Sequence, residues 1–162
     1  MKTISSGYFT DICYHAGHVY VTRYNDPAIY VYDQNTWNRI RTLDACKSGG
    51  NHFNHKLGVT SRGITLACYN DHCINVLGHG GKLQQKHVLG EFKGPHLCSV
   101  ESDGSMLVAD HGNHRCLVFH AGKWCVLPLN PRPPWPWDAV VTQNALYVVS
   151  FEERKLIKYK IN

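Results

Sequence analysis

The stretch LCSVESDGSMLVADHGNHRCLVF, Leu97 to Phe119, reads as strand, tight turn, strand, polar turn, strand. Asp103-Gly104 suits a hairpin turn, and Leu107-Val108-Ala109 is apolar throughout, as a strand buried on both faces is. The same arrangement returns three times, as DICYHAGHVYVTRYNDPAIYVYD from Asp11, GVTSRGITLACYNDHCINVL from Gly58 and DAVVTQNALYVVSFEERKLIKYK from Asp138. The first and last superpose without a gap at a constant offset of 127, Asp11 on Asp138, Val19-Tyr20-Val21 on Leu146-Tyr147-Val148, Tyr24 on Phe151 and Ile29 on Leu156. With Ile12, Val59, Val100 and Val140 as equivalents, the steps are 47, 41 and 40 residues. That is the length of a four-stranded propeller blade. The longer first step holds the turn-rich loop Lys47 to His52.

A fourth, more polar strand is expected after each of the first three repeats, at Arg39 to Leu43, His87 to Leu89 and Trp124 to Leu127. The fourth repeat stops without one, while Lys2-Thr3-Ile4-Ser5 is strand-like and has no repeat of its own. The fold class expected is therefore all-β, a small four-bladed β-propeller of four-stranded antiparallel blades, with the N-terminal strand closing the last blade and removing the exposed edges. The blades are placed at about residues 8–46, 53–90, 94–128 and 135–162 plus 1–6, in one domain spanning 1–162. No segment carries helical periodicity over the length a helix needs.

Composition agrees with a globular chain: 43% hydrophobic, 18% charged, and free of low-complexity runs. The net charge of +5 favours an anionic partner mildly. No run reaches the roughly 20 apolar residues of a membrane span. The seven cysteines are scattered, with no CxxC pair, and several fall in apolar runs, so reduced thiols and a cytoplasmic setting are expected.

Pro95 to Phe119 resembles the NHL repeat, whose consensus is close to PxGIAVDxDGNIYVADxxNHRIQVF. Asn113-His114-Arg115 is the element that names the family, and Phe53-Asn54-His55-Lys56-Leu57-Gly58-Val59 resembles its FNxPxGV pattern, with Lys56 in place of Pro. The other repeats carry Asn25-Asp26, Asp71-His72 and Glu153-Arg154 instead of the signature. The resemblance implies a propeller, usually of six blades, that binds RNA or protein; an amidating lyase with a zinc-bearing propeller also belongs to the family. Asp110 and Asn113 can bond the turn they flank and Arg115 can pair with Asp110, which makes these signature residues chiefly structural.

The loops expected to form one face carry Tyr24, Tyr69, His72, His111, Arg115, Phe151 and Arg154, and the connections between repeats carry His55, Lys56, Lys93, His96, Trp135 and Trp137. Flat rings interleaved with cations are what single-stranded RNA requires. These thirteen are the candidate binding residues; packing of the aromatics onto the blades is the alternative. His55 and His96 fall short of the three or four ligands zinc takes, so no metal or cofactor is expected. No HExxH, GxSxG or P-loop pattern occurs, and no catalytic residue is assigned. Leu127 to Trp137 holds five of the seven prolines and must run extended, as a stiff connection between repeats or a segment for a partner groove. The expected function is a non-catalytic NHL-type module for protein or single-stranded RNA, with no membrane role. The alternatives are a metal-dependent enzyme of the amidating-lyase type and a half-ring that dimerises.

Overall fold

The computed structural model describes residues 7–24, 26–46, 56–88 and 92–160. Their strands form four antiparallel sheets, each built from consecutive segments of chain. The first sheet holds β1 (Phe9–His15), β2 (His18–Arg23), β3 (Ala28–Asp33) and β4 (Arg39–Asp44). The second holds β5 (Leu57–Thr60), β6 (Gly63–Cys68), β7 (Cys73–Leu77) and β8 (Leu83–His87). The third holds β9 (Pro95–Val100), β10 (Met106–Asp110), β11 (Arg115–His120) and β12 (Lys123–Val126). The fourth holds β13 (Pro136–Val141), β14 (Ala145–Ser150) and β15 (Lys155–Lys160). One short 3-10 turn, His111–Asn113, is the only helical element among the described residues. Lys2 to Ser5, the expected closing strand, lies outside the described residues.

Local chemistry sets the hairpins. Ala16-Gly17 and Ala121-Gly122 both take positive φ at both positions, the two-residue turn whose twist matches its strands. The outer strand of the second sheet lies earlier than expected. Gly81 donates to Gly78 O and Gly78 to Lys82 O, so the chain turns back at once and Leu83–His87 pairs with β7 in place of His87 to Leu89.

Alternation within each strand gives every sheet two apolar faces, and successive sheets pack face to face. Tyr20, Ile29, Val31 and Leu43 of the first sheet meet Leu57, Ile64, Leu66 and Leu77 of the second. Ala67 and Ile74 of the second meet Leu97, Met106 and Val108 of the third, while Leu107 and Cys116 meet Ala139, Leu146 and Val148 of the fourth. The approach is close at Gly58, where an added Cβ would lie 2.0 Å from Val100 Cγ1. Gly58→Ala is therefore expected to cost about 1–3 kcal/mol by overpacking. Val100→Ala in the same chain should recover part of that loss, read as the urea midpoint of the pair against each single variant.

The expectation that all cysteines are reduced is corrected at one junction. Cys46 follows β4 and Cys68 ends β6; packing of the first sheet on the second brings their Cα atoms to 5.8 Å and the sulfurs are bonded. The pair is far apart in sequence and adjacent only through the fold. This bond removes the premise on which a reducing compartment was expected. Burial pushes the Cys98 thiol up, and the Cys116 thiol up to about 12.

Candidate functional site

The turns from the second to the third strand of the second, third and fourth sheets repeat one device. His72 N donates to Tyr69 O, His114 N to His111 O and Arg154 N to Phe151 O, at 3.2–3.3 Å, with His72, His114 and Arg154 in the left-handed region. Two of these residues then hold the next sheet. Gly94 N donates to His72 Nδ1 and Trp135 N to His114 Nδ1, both at 3.1 Å, so Nδ1 is the acceptor in each ring. The histidine of the Asn113-His114-Arg115 signature is thus a clasp between sheets.

Asp110 anchors the same region. It is fully buried and accepts bonds from Lys93 N, Asn113 Nδ2 and Arg115 Nε, each at 2.8 Å. The expected pairing of Arg115 with Asp110 is present.

The residues at the heads of the turns and the starts of the sheets form one layer of rings. The His96 ring lies tilted at 4.1 Å from Trp137 and 5.2 Å from Tyr69, His111 lies 5.3 Å from Trp135, and Trp137 stacks on Phe151 at 4.9 Å. His96 and His111 are buried at its centre, Tyr69, Trp135 and Trp137 half-buried, and Phe151 is 60% exposed. Burial first, then the nearby His111 and Lys56, pull the His96 pKa down to about 3, so its ring is neutral. His96 Nε2 and His111 Nδ1 are buried without a hydrogen-bond partner. Burial, then Glu152, raises the Tyr69 hydroxyl.

A cavity of about 650 Å³ opens beside this layer, lined among others by Lys93, His114, Arg115, Leu129 and Arg132. Among the described residues no carboxylate lines it. His114 joins cavity to ring layer, its ring 4.3 Å from Trp135. The proline-rich connection sets Trp135 and Trp137 over the sheets, as a stiff connection between repeats would, and brings Arg132 to the cavity.

Of the expected residues, Tyr69, His96, His111, Trp135, Trp137 and Phe151 come together in the ring layer, and Lys93 and Arg115 in the cavity. Lys56 forms an ion pair with Asp138. His72 is a clasp, Tyr24 heads the equivalent turn of the first sheet, where its N–H bonds Tyr8 O, and Arg154 lines a shallow hollow with Leu156. His55 lies outside the described residues. Arg132 was not singled out as a binding residue; its place among prolines was the signal available. Cys46, Cys68 and Asp71 also approach as three donors within 4.8 Å, but the two sulfurs are bonded to each other.

No protein-family description matches the sequence, and no curated protein matches it. Solved structures do. A streptogramin B lyase matches with TM-score 0.73 and 19% identity over 99% of this chain and 57% of its own. The β-propeller domain of Myceliophteria thermophila Cps50 (Swd1) matches with TM-score 0.66 and 13% identity over 95% of this chain and 54% of its own. The fold is a β-propeller's. A computationally designed protein, Ika4, matches with TM-score 0.67 and 13% identity over 98% of this chain and 94% of its own. The propeller described here thus spans a little over half the length of the lyase and Swd1 chains. Identities this low establish architecture alone, and the neighbours include both an enzyme and a propeller domain of another kind.

Proposed function

We propose that this propeller is a non-catalytic binding module that takes single-stranded RNA across the cavity and ring layer. The observation that carries the reading is the cavity lined by Lys93, His114, Arg115 and Arg132, with no lining carboxylate among the described residues and joined through His114 to the ring layer at Trp135. Cations there meet phosphates, while Phe151, backed by Trp137, offers a face on which a base stacks. The NHL character of the module rests on Pro95 to Phe119, in which the signature residues hold the sheets together and leave the neighbouring side chains to bind.

Fluorescence anisotropy with a labelled oligoribonucleotide tests this. Affinity should fall as salt rises from about 50 mM to about 200 mM, and Lys93→Ala with Arg132→Ala should weaken binding and flatten that slope. Phe151→Ala should cost about 1–3 kcal/mol of RNA affinity. An acidic protein segment would respond to the lysine and arginine changes but not to loss of the ring. Binding that ignores salt and all three substitutions overturns the reading.

A metal-dependent enzyme is the second reading, favoured by the unpartnered nitrogens of His96 and His111. Two imidazoles are fewer than the three protein ligands of a catalytic zinc site. Stoichiometric zinc in protein purified without a histidine tag would move the conclusion to that reading.

A further inference from the structure

We propose that a second copy of this chain covers the two sheet faces the chain leaves uncovered, so that eight sheets close one ring of two-fold symmetry. Every internal junction joins a forward face to a receiving face. Tyr20 and Ile29 lie on the forward face of the first sheet, Ala67 and Ile74 on that of the second, Leu107 and Cys116 on that of the third. Ile64 and Leu66, then Met106 and Val108, then Leu146 and Val148 lie on the corresponding receiving faces.

The pairing of β1 with β2 and of β13 with β14 follows the same offset, Ile12 opposite Val21 and Ala139 opposite Val148. The forward face of the fourth sheet is therefore Val140, Tyr147, Val149 and Leu156, and the receiving face of the first is Ile12, Val19, Val21 and Tyr32. On the receiving face of the first sheet Val19, Val21 and Tyr32 are already buried in a cluster within that sheet, and the exposed members are Ile12 and, opposite Val19, Tyr14; on the forward face of the fourth sheet Val140, Val149 and Leu156 are exposed. Ile29 is 0% exposed and its equivalent Leu156 is 71%; Ala139 is 7% exposed and its equivalent Ile12 is 67%. Among the described residues no hydrophobic cluster joins the fourth sheet to the first.

These two faces continue the interface that already recurs at each junction, which is why a second copy fits them. Set forward to receiving, two copies make two identical junctions and leave neither kind of face over. Lys158, where the first sheet has Val31, lies over the Tyr147 ring and adds its stem to the forward face.

Sedimentation velocity and light scattering at micromolar concentration test the proposal. A particle of twice 18.4 kDa is expected. Leu156→Asp and, separately, Ile12→Asp should raise the dimer dissociation constant about a hundredfold while leaving the circular dichroism spectrum unchanged, because both positions are exposed within one chain. A wild-type monomer overturns the proposal, as does a dimer indifferent to both substitutions or an open-ended ladder of higher species. None of these outcomes bears on RNA binding, which uses different residues.

Discussion

Asp110→Ala is expected to remove about 3–5 kcal/mol of stability, read as a lower urea midpoint at an unchanged slope. The carboxylate is fully buried, and its three bonds tie the backbone of Lys93, the side chain of Asn113 and the guanidinium of Arg115 into one knot. Removing it takes the carboxylate from a largely buried cation and the acceptor from the Lys93 N–H at once, which costs more than the bonds themselves contribute. Asp110→Asn keeps an oxygen for part of the set and should lose less. Arg115→Met leaves the buried carboxylate without its ion pair, so it should also be costly, and the two changes together should cost less than their sum.

The second large effect is one of pH. His96 is neutral when folded, with a pKa held down to about 3 against an ordinary 6.5, chiefly by burial. Because the folded value is depressed, the unfolded chain takes up the proton first on acidification. The contribution of His96 is intact above pH 6.5 and is lost as pH falls towards 3, at about 1.4 kcal/mol per pH unit. Unfolding by urea at pH 4.5 should thus show a loss of about 3 kcal/mol relative to pH 7.5. His96→Gln removes the titrating ring, so the slope over that window should shrink to what other groups supply. His87, also lowered by burial, contributes in the same direction. A wild-type slope no steeper than that of the variant would contradict the burial of a neutral ring.

What the sequence made legible was what neighbouring residues decide. The continuous apolar run Leu107-Val108-Ala109, the turn at Asp103-Gly104 and the Asp110–Arg115 pair all depend on residues a few positions apart, and each stands where expected. The ring layer was legible as a set of residue types at equivalent repeat positions, which is why six of the thirteen candidates meet there. The bond between Cys46 and Cys68, the clasp of His72 on Gly94 and the turn of Arg132 towards Lys93 were not legible in this way. Each is fixed by which face of one sheet meets the next, and strand periodicity names the faces without saying how they are matched. The outer strand at Leu83–His87 was misplaced for a smaller reason: the Gly80-Gly81 pair folds the chain back sooner than the hydrophobic pattern suggests.

Because every sheet is built from consecutive strands, assembly has a direction. At a synthesis rate of about 5–20 residues per second, the roughly 40 residues of one sheet leave the ribosome over about 2–8 s, while a hairpin closes in microseconds. Each sheet can therefore finish before the next emerges, and its forward face waits, bare, as the template on which the newcomer's receiving face condenses. The Gly58–Val100 contact then forms at the moment the third sheet begins, when β9 first reaches β5. Growth of this kind is vectorial, and at each stage the open faces are the forward face of the most recent sheet and the receiving face of the first.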